Sequence, residues 1–154
     1  NLKTYTSSKY KFSIKYPEQK TCDKGNFVEV LRANIVESKF ELHFNSPRLN
    51  YQRCFKWENF FVSVVDTSFQ FDSNSQIKTY FSEIEANIDG VKGVKRTYVY
   101  GPDSDRKGEI NKVSVLVRKS NYGYILEYYP EDLLDNTGFT IKEAEQMISS
   151  FRFD

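Results

Sequence analysis

The sequence is poor in the groups from which most catalytic and metal centres are built. It holds one His, one Met, two Cys, seven Gly and four Pro. A zinc site draws about four closely spaced Cys, His or acidic ligands, and one histidine with two distant cysteines does not supply them. No glycine-rich phosphate loop is present: Gly90-Val-Lys-Gly93 lacks the spacing and the Lys-Ser/Thr ending of one. Charge of one sign is lacking too. Twenty-two Lys and Arg stand against 21 Asp and Glu, for a net charge of +1. A nucleic-acid binder shows a basic excess, so no nucleic-acid partner is expected. No apolar run reaches the ~18 residues that span a bilayer as a helix. Neither a metal nor a cofactor is expected.

Aromatic residues, by contrast, are plentiful. Thirteen Phe, 11 Tyr and one Trp make up 16% of the chain. Large rings bury much area per residue, so they build a core despite a modest apolar fraction. High aromatic content with low net charge excludes disorder. The 154 residues suit a single domain spanning 1–154. Asn1 is not a start methionine, so a processed piece is expected, with a signal or membrane anchor upstream. Cys22 and Cys54 lie in turn-rich segments. One disulfide in an oxidising compartment is the expectation, contributing about 3–4 kcal/mol through chain entropy. Two unrelated thiols in a reducing cytosol are the alternative.

Alternation marks the strands. Phe12, Ile14 and Tyr16 share one face of a segment that Pro17 stops. Residues 27–35 are rich in strand formers, and Phe40, Leu42 and Phe44 alternate, with a hairpin break at 37–39. Residues 45–58 read as a long connection. Residues 59–65 are almost continuously apolar, as in a central strand covered on both faces. Asp72-Ser-Asn-Ser75 offers N-cap oxygens, and Ile77, Tyr80, Phe81 and Ile84 follow at i, i+3, i+4, i+7. That spacing predicts a helix over 74–87, ended by Asp89-Gly90. Strands are predicted at 93–100, 110–117 and 124–129, the last two joined through Ser120-Asn-Tyr-Gly123. Thr140 and Glu143 make a capping box. The helix after it places Ile141, Ala144, Ile148 and Phe151 on one face, with Met147 beside it. The order β-β-β-β-α-β-β-β-α implies an α+β fold: an antiparallel sheet of six to seven strands flanked by helices.

The two ends carry a resemblance. Tyr10-Lys-Phe-Ser-Ile-Lys-Tyr-Pro17 resembles the opening of PsbP-like domains, and Ala144-Glu-Gln-Met-Ile-Ser-Ser-Phe-Arg-Phe153 resembles their closing helix. The resemblance implies a PsbP-like α/β/α sandwich. It also implies a role. The family includes extrinsic proteins of the photosynthetic oxygen-evolving complex, a nuclear-transport factor and bacterial lipoproteins, which act mostly as non-enzymatic binding or assembly modules. The expected function is therefore an extracytoplasmic module, periplasmic or at the cell surface and lipid-anchored, with a protein partner. The family has no catalytic motif to carry over. A carboxylate-using hydrolase and a carrier of small molecules or lipids are the alternatives. The first needs two facing carboxylates; the second needs an apolar cavity between sheet and helix.

Within the chain one segment stands out. Residues 48–57 interleave Arg48, Arg53 and Lys56 with Tyr51, Phe55 and Trp57. Arg, Tyr and Trp dominate protein interfaces, so Arg48, Tyr51, Arg53, Lys56 and Trp57 are the expected partner-binding residues. The competing reading is a loop whose rings fold back on the sheet edge. Asp103 to Gly108 superficially resembles a calcium loop, but Lys107 and Ser114 fall where oxygen and Glu ligands belong, so a polar turn is expected. His43 is expected on the solvent side of its strand. Lys92, Lys95 and Arg96 read as the wet face of another.

Overall fold

A computed structural model describes residues 2–17, 28–31, 38–45, 48–50, 53–55, 58–71, 80–130 and 139–154. The strands are β1 (Leu2–Ser7), β2 (Phe12–Pro17), β3 (Val28–Leu31), β4 (Ser38–Asn45), β5 (Arg48–Asn50), β6 (Arg53–Phe55), β7 (Glu58–Asp66), β8 (Tyr80–Ile88), β9 (Val91–Val99), β10 (Ile110–Lys119), β11 (Tyr122–Tyr128) and β12 (Arg152–Phe153). The helix is α1 (Ile141–Ser149). Seven strands form one sheet in the order β3-β4-β7-β11-β10-β9-β8. All its ladders are antiparallel. A smaller sheet has the order β1-β2-β12, and β5 pairs with β6 alone.

Tight turns set the large sheet's register. Ile88 faces Val91 across Asp89-Gly90, and Lys119 faces Tyr122 across Ser120-Asn121. Asp89 and Gly90 both have positive φ, at 50° and 81°, the signs of a type I′ turn. Ser120 has φ 56°, which suits the first position of a type II′ turn. Such turns match the twist of the strands they join. The link from β7 to β8 instead runs from the middle of the sheet to its edge. Its described part, residues 67–71, lies over one face: Phe69 and Phe71 pack on Val65, Leu116 and Ile125. Arg118 holds it there, donating from Nε to the Thr67 carbonyl at 2.9 Å and from Nη2 to that of Phe69.

The opposite face carries the main core. Leu42, Phe44, Phe60, Val62, Val64, Val113, Val115, Val117, Tyr124, Leu126 and Tyr128 point into it. The small sheet closes it with Phe12, Ile14 and Tyr16, and α1 with Ala144, Met147 and Ile148. Phe12 stacks on Phe151 with centroids 5.2 Å apart, while Tyr124 meets Phe12 edge-on at 6.0 Å. Each such ring contributes about 1.5–3 kcal/mol by leaving water. Polar groups at the margins are paired. Buried Asn59 donates from Nδ2 to the carbonyls of Tyr129 (2.8 Å) and Phe139 (2.9 Å) and accepts from the Phe139 N–H (2.8 Å). It thereby ties the approach to α1 onto the sheet.

The C-terminal helix follows its sequence signals. The Thr140 hydroxyl accepts from the Glu143 N–H at 3.1 Å, and the Glu143 carboxylate accepts from the Thr140 N–H at 3.0 Å. Ala144, Met147 and Ile148 form the buried stripe, whereas Ile141 is exposed. Met147, not Ile141, therefore belongs to the core face.

Four expectations are corrected. The helix predicted over 74–87 is overturned from Tyr80 onward, where β8 runs instead; Ile77 and the N-cap residues lie outside the described residues. The same apolar spacing serves a strand, because Asp-Gly closes a hairpin as readily as it ends a helix, and pairing with β9 outweighs local propensity. Phe81 and Ile84, expected in a helix–sheet core, are exposed. The connection read over 45–58 contains the β5–β6 hairpin, and the strands β1 and β12 were not foreseen. Lastly, the expected disulfide is withdrawn. No bridge exists among the described residues, and Cys54 on β6 stands opposite Leu49, not opposite a cysteine; Cys22 lies outside the described residues. The expectation rested on compartment, and no feature of the residue pattern required the two to meet.

Candidate functional site

The described part of the expected partner-binding segment, residues 48–50 and 53–55, is a pair of antiparallel strands. Asn45 pairs with Glu58 at the end of the large sheet, and beyond it Arg48 pairs with Phe55, Leu49 with Cys54 and Asn50 with Arg53. These pairs share the register of Asn45 and Glu58. Among the described residues neither strand pairs with any other. A strand pair without neighbours leaves two rows of backbone N–H and C=O groups open for pairing. Arg48 and Arg53 thus sit on adjacent strands, offset in register. Tyr51, Lys56 and Trp57 lie outside the described residues.

A second arrangement was missed at the sequence level. The sheet face opposite the main core carries a strip of charged and aromatic side chains crossing from β4 to β8. Toward its β8 end Arg96 is buried. Its Nε donates to Glu83 Oε1 at 2.8 Å and its Nη1 to the Tyr98 hydroxyl at 3.3 Å. Its guanidinium carbon lies 3.9 Å from the Phe81 ring centroid and 4.9 Å from that of Phe71. Burial pulls the guanidinium's pKa down, but the hydrogen bonds and charges of Glu83 and Tyr98 outweigh it and hold the group above its ordinary value. Next along, Lys112 lies 4.5 Å over the Tyr98 ring and 3.7 Å from Glu127. Glu127 also accepts from the Ser114 hydroxyl at 2.6 Å. Burial, then the charge of Glu127, pushes the neighbouring Tyr129 phenol up to about 12. Phe61 meets Tyr129 edge-on at 6.0 Å and His43 at 4.7 Å, and His43 Nε2 lies 3.6 Å from Glu41.

In this strip every charge named has an opposite charge or hydroxyl beside it. Rings are framed by paired ions, each held in place by its neighbour. His43 points away from Phe40, Leu42 and Phe44, as alternation requires, but it is half-buried against Phe61 rather than in open solvent. Alternation also splits the supposed wet face of β9. Arg96 enters the strip, while Lys95 points to the other side and meets Glu145 of α1 at 2.7 Å. The Tyr128 hydroxyl donates to the same Glu145 oxygen at 2.7 Å. Burial first and this carboxylate second raise the Tyr128 pKa. Opposite parity at 95 and 96 was the signal available in the sequence.

Two further features bear on function. Residues 101–109 form a hydrogen-bonded turn: Ser104 N–H donates to the Gly101 carbonyl (3.1 Å), Glu109 N–H to that of Arg106 (3.0 Å), and Ser104 Oγ accepts from the Arg106 N–H (3.1 Å). Beside this turn lies a cavity of about 550 Å³, walled by Ile110, Pro130 and Ile141 and rimmed by Arg106, Glu109 and Lys142. Among the described residues no group of three His, Cys, Asp or Glu side chains is placed to hold a metal ion. No helix among them is long and apolar enough to cross a membrane.

An antiparallel sheet with a helix and a small sheet on one face defines an α+β sandwich. That sandwich is PsbP-like: the chain is similar to the solution structure of cyanobacterial PsbP (CyanoP) from Synechocystis sp. PCC 6803, with a TM-score of 0.53 over 99% of this chain and 92% of that one. Identity across the match is 11%, so the likeness is one of fold. No family model matches the chain, and no curated protein matches it.

Proposed function

We propose that the chain is a single-domain, non-enzymatic binding or assembly module acting outside the cytoplasm, with a protein as its partner. The observation that carries this reading is a PsbP-like fold shared along nearly the whole chain, in a family whose members serve mostly as binding or assembly modules. The β5–β6 ribbon supplies the contact surface. It keeps the register of the β4–β7 ladder, and its segment is rich in cationic and aromatic residue types. Open strand edges add a partner's strand through main-chain hydrogen bonds, and Arg, Tyr and Trp side chains give the contact its energy.

The test is affinity capture from the source organism's extracytoplasmic fraction, comparing the native chain with Trp57→Ala and with Arg48→Ala/Arg53→Ala. The expected result is loss of one specific partner with melting temperature little changed. A large fall in melting temperature with capture intact would make the segment part of the core and end the reading. The cavity beside α1 favours a second reading, a small-molecule carrier, because its walls are apolar and its rim charged. Native mass spectrometry showing a bound small molecule that Ile141→Arg excludes would support it.

A further inference from the structure

Among the described residues β8 is an edge of the large sheet, and its charged side chains are Glu83 and Glu85. Edge strands are commonly short, bulged, or defended by Pro or by charged side chains, Lys above all. β8 is nine residues long, contains neither Lys nor Pro, and pairs with β9 from Tyr80–Val99 to Ile88–Val91 without a register shift. It also exposes two large apolar side chains, Phe81 at 47% and Ile84 at 63%.

The hairpin turn determines which backbone groups of β8 serve β9 and which face outward. Ile88 and Val91 close a two-residue turn, so they exchange both ladder hydrogen bonds, and such pairs alternate along an antiparallel ladder. The N–H and C=O groups of Tyr80, Ser82, Ile84, Ala86 and Ile88 therefore serve β9. Those of Phe81, Glu83, Glu85 and Asn87 are directed outward, away from the sheet. Charge alternates across the same edge. Arg96 and Lys92 on β9 lie inside; Glu83 and Glu85 on β8 lie outside them, with Arg96 bonded to Glu83 and Lys92 3.9 Å from Glu85. The next strand outward continues this order by presenting cations.

We propose that β8 docks an extended segment of a partner protein that alternates basic and apolar residues, adding an eighth strand. Its Lys or Arg side chains lie beside Glu83 and Glu85, and its apolar side chains lie beside Ile84 on the other face. A second copy of this chain is the wrong occupant. Antiparallel self-pairing that keeps the two faces sets Glu83 against Glu85, or sets one of them against itself, in every centrally overlapping register. Like charges directly opposite destabilise a pair of strands. This proposal uses a different edge from the β5–β6 ribbon and stands or falls separately from it.

The experiment titrates the isotopically labelled chain with a short synthetic peptide alternating lysine and valine, with a block-ordered peptide of the same composition as control. The expected result is amide shifts confined to Tyr80–Ile88, with slowed hydrogen exchange at Phe81, Glu83, Glu85 and Asn87. Glu85→Lys weakens binding by about tenfold or more through like-charge opposition. Glu85→Pro removes an outward N–H, which an edge strand tolerates, and abolishes binding. If that variant unfolds, the charge reversal and the exchange pattern decide the matter alone. Equal binding of the block-ordered peptide, shifts scattered over other acidic surfaces, unchanged affinity in Glu85→Lys, or self-association through β8 would each overturn the proposal.

Discussion

Neighbouring residues on the same strands of the large sheet live in opposite surroundings. Phe60, Val62 and Val64 of β7 point into a core shared with α1 and the small sheet, made mostly of rings and aliphatic side chains. On β9 and β10 the alternate positions Arg96, Tyr98, Lys112 and Ser114 belong to a strip in which charges are matched across strands. The first face is stabilised by loss of apolar surface from water, a term that adds up with area. The second is stabilised by pairing that must offset the desolvation of its own ions, so its net contribution is small while its geometry is specific. One face therefore holds the fold together, and the other defines what the sheet presents outside its core.

The sharpest way to break this comparison is Phe151→Ala. Phe151 is fully buried and packs on Phe12, Tyr124 and Phe153. Its truncation is expected to cost about 3–5 kcal/mol in urea unfolding; a loss below about 1 kcal/mol would show that the aromatic cluster is not where stability resides. Arg96→Ala, on the other face, is expected to cost only about 1–2 kcal/mol. The orphaned Glu83 is 43% exposed and regains water. A cost equal to that of Phe151→Ala would erase the distinction between the faces. The smallest effect lies at alkaline pH. Tyr128 and Tyr129 both titrate above the ordinary tyrosine value in the folded chain, so the folded state holds their protons longer than the unfolded one. Their contribution is complete below the unfolded value of about 10. It is lost as pH climbs through the folded values, about 12 for Tyr129. Tyrosinate absorbance followed alongside unfolding midpoints checks this: coincident native and denatured titration curves would refute it.

Much of the architecture was legible because alternation is a local property. Phe12-Ile14-Tyr16, Phe40-Leu42-Phe44 and the apolar run at 59–65 all lie on strands, and the last is flanked by β4 and β11 as a central strand should be. The capping box at Thr140 and Glu143 formed as spaced. Illegible were features that depend on a distant neighbour. Ile84 and Phe81 fit either period, and only β9 decided between helix and strand. β1 and β12 are each defined by pairing with β2, and Arg152 and Phe153 are too few to show a pattern of their own. Of the candidate site, the sequence marked the 48–57 segment by composition. It offered no sign that Arg96 would be buried while Lys92, four residues earlier on the same side, stays exposed.

By itself the sequence determined an antiparallel α+β domain with an aromatic core, because residue period and turn chemistry act within a few positions of one another. Tertiary structure alone decided the order of the strands, the place of β8 at the end of that order and the matching of ions across β9, β10 and β11. Those depend on which segments, far apart in the chain, come to lie side by side, and the reward for that closeness appears only after the chain has folded.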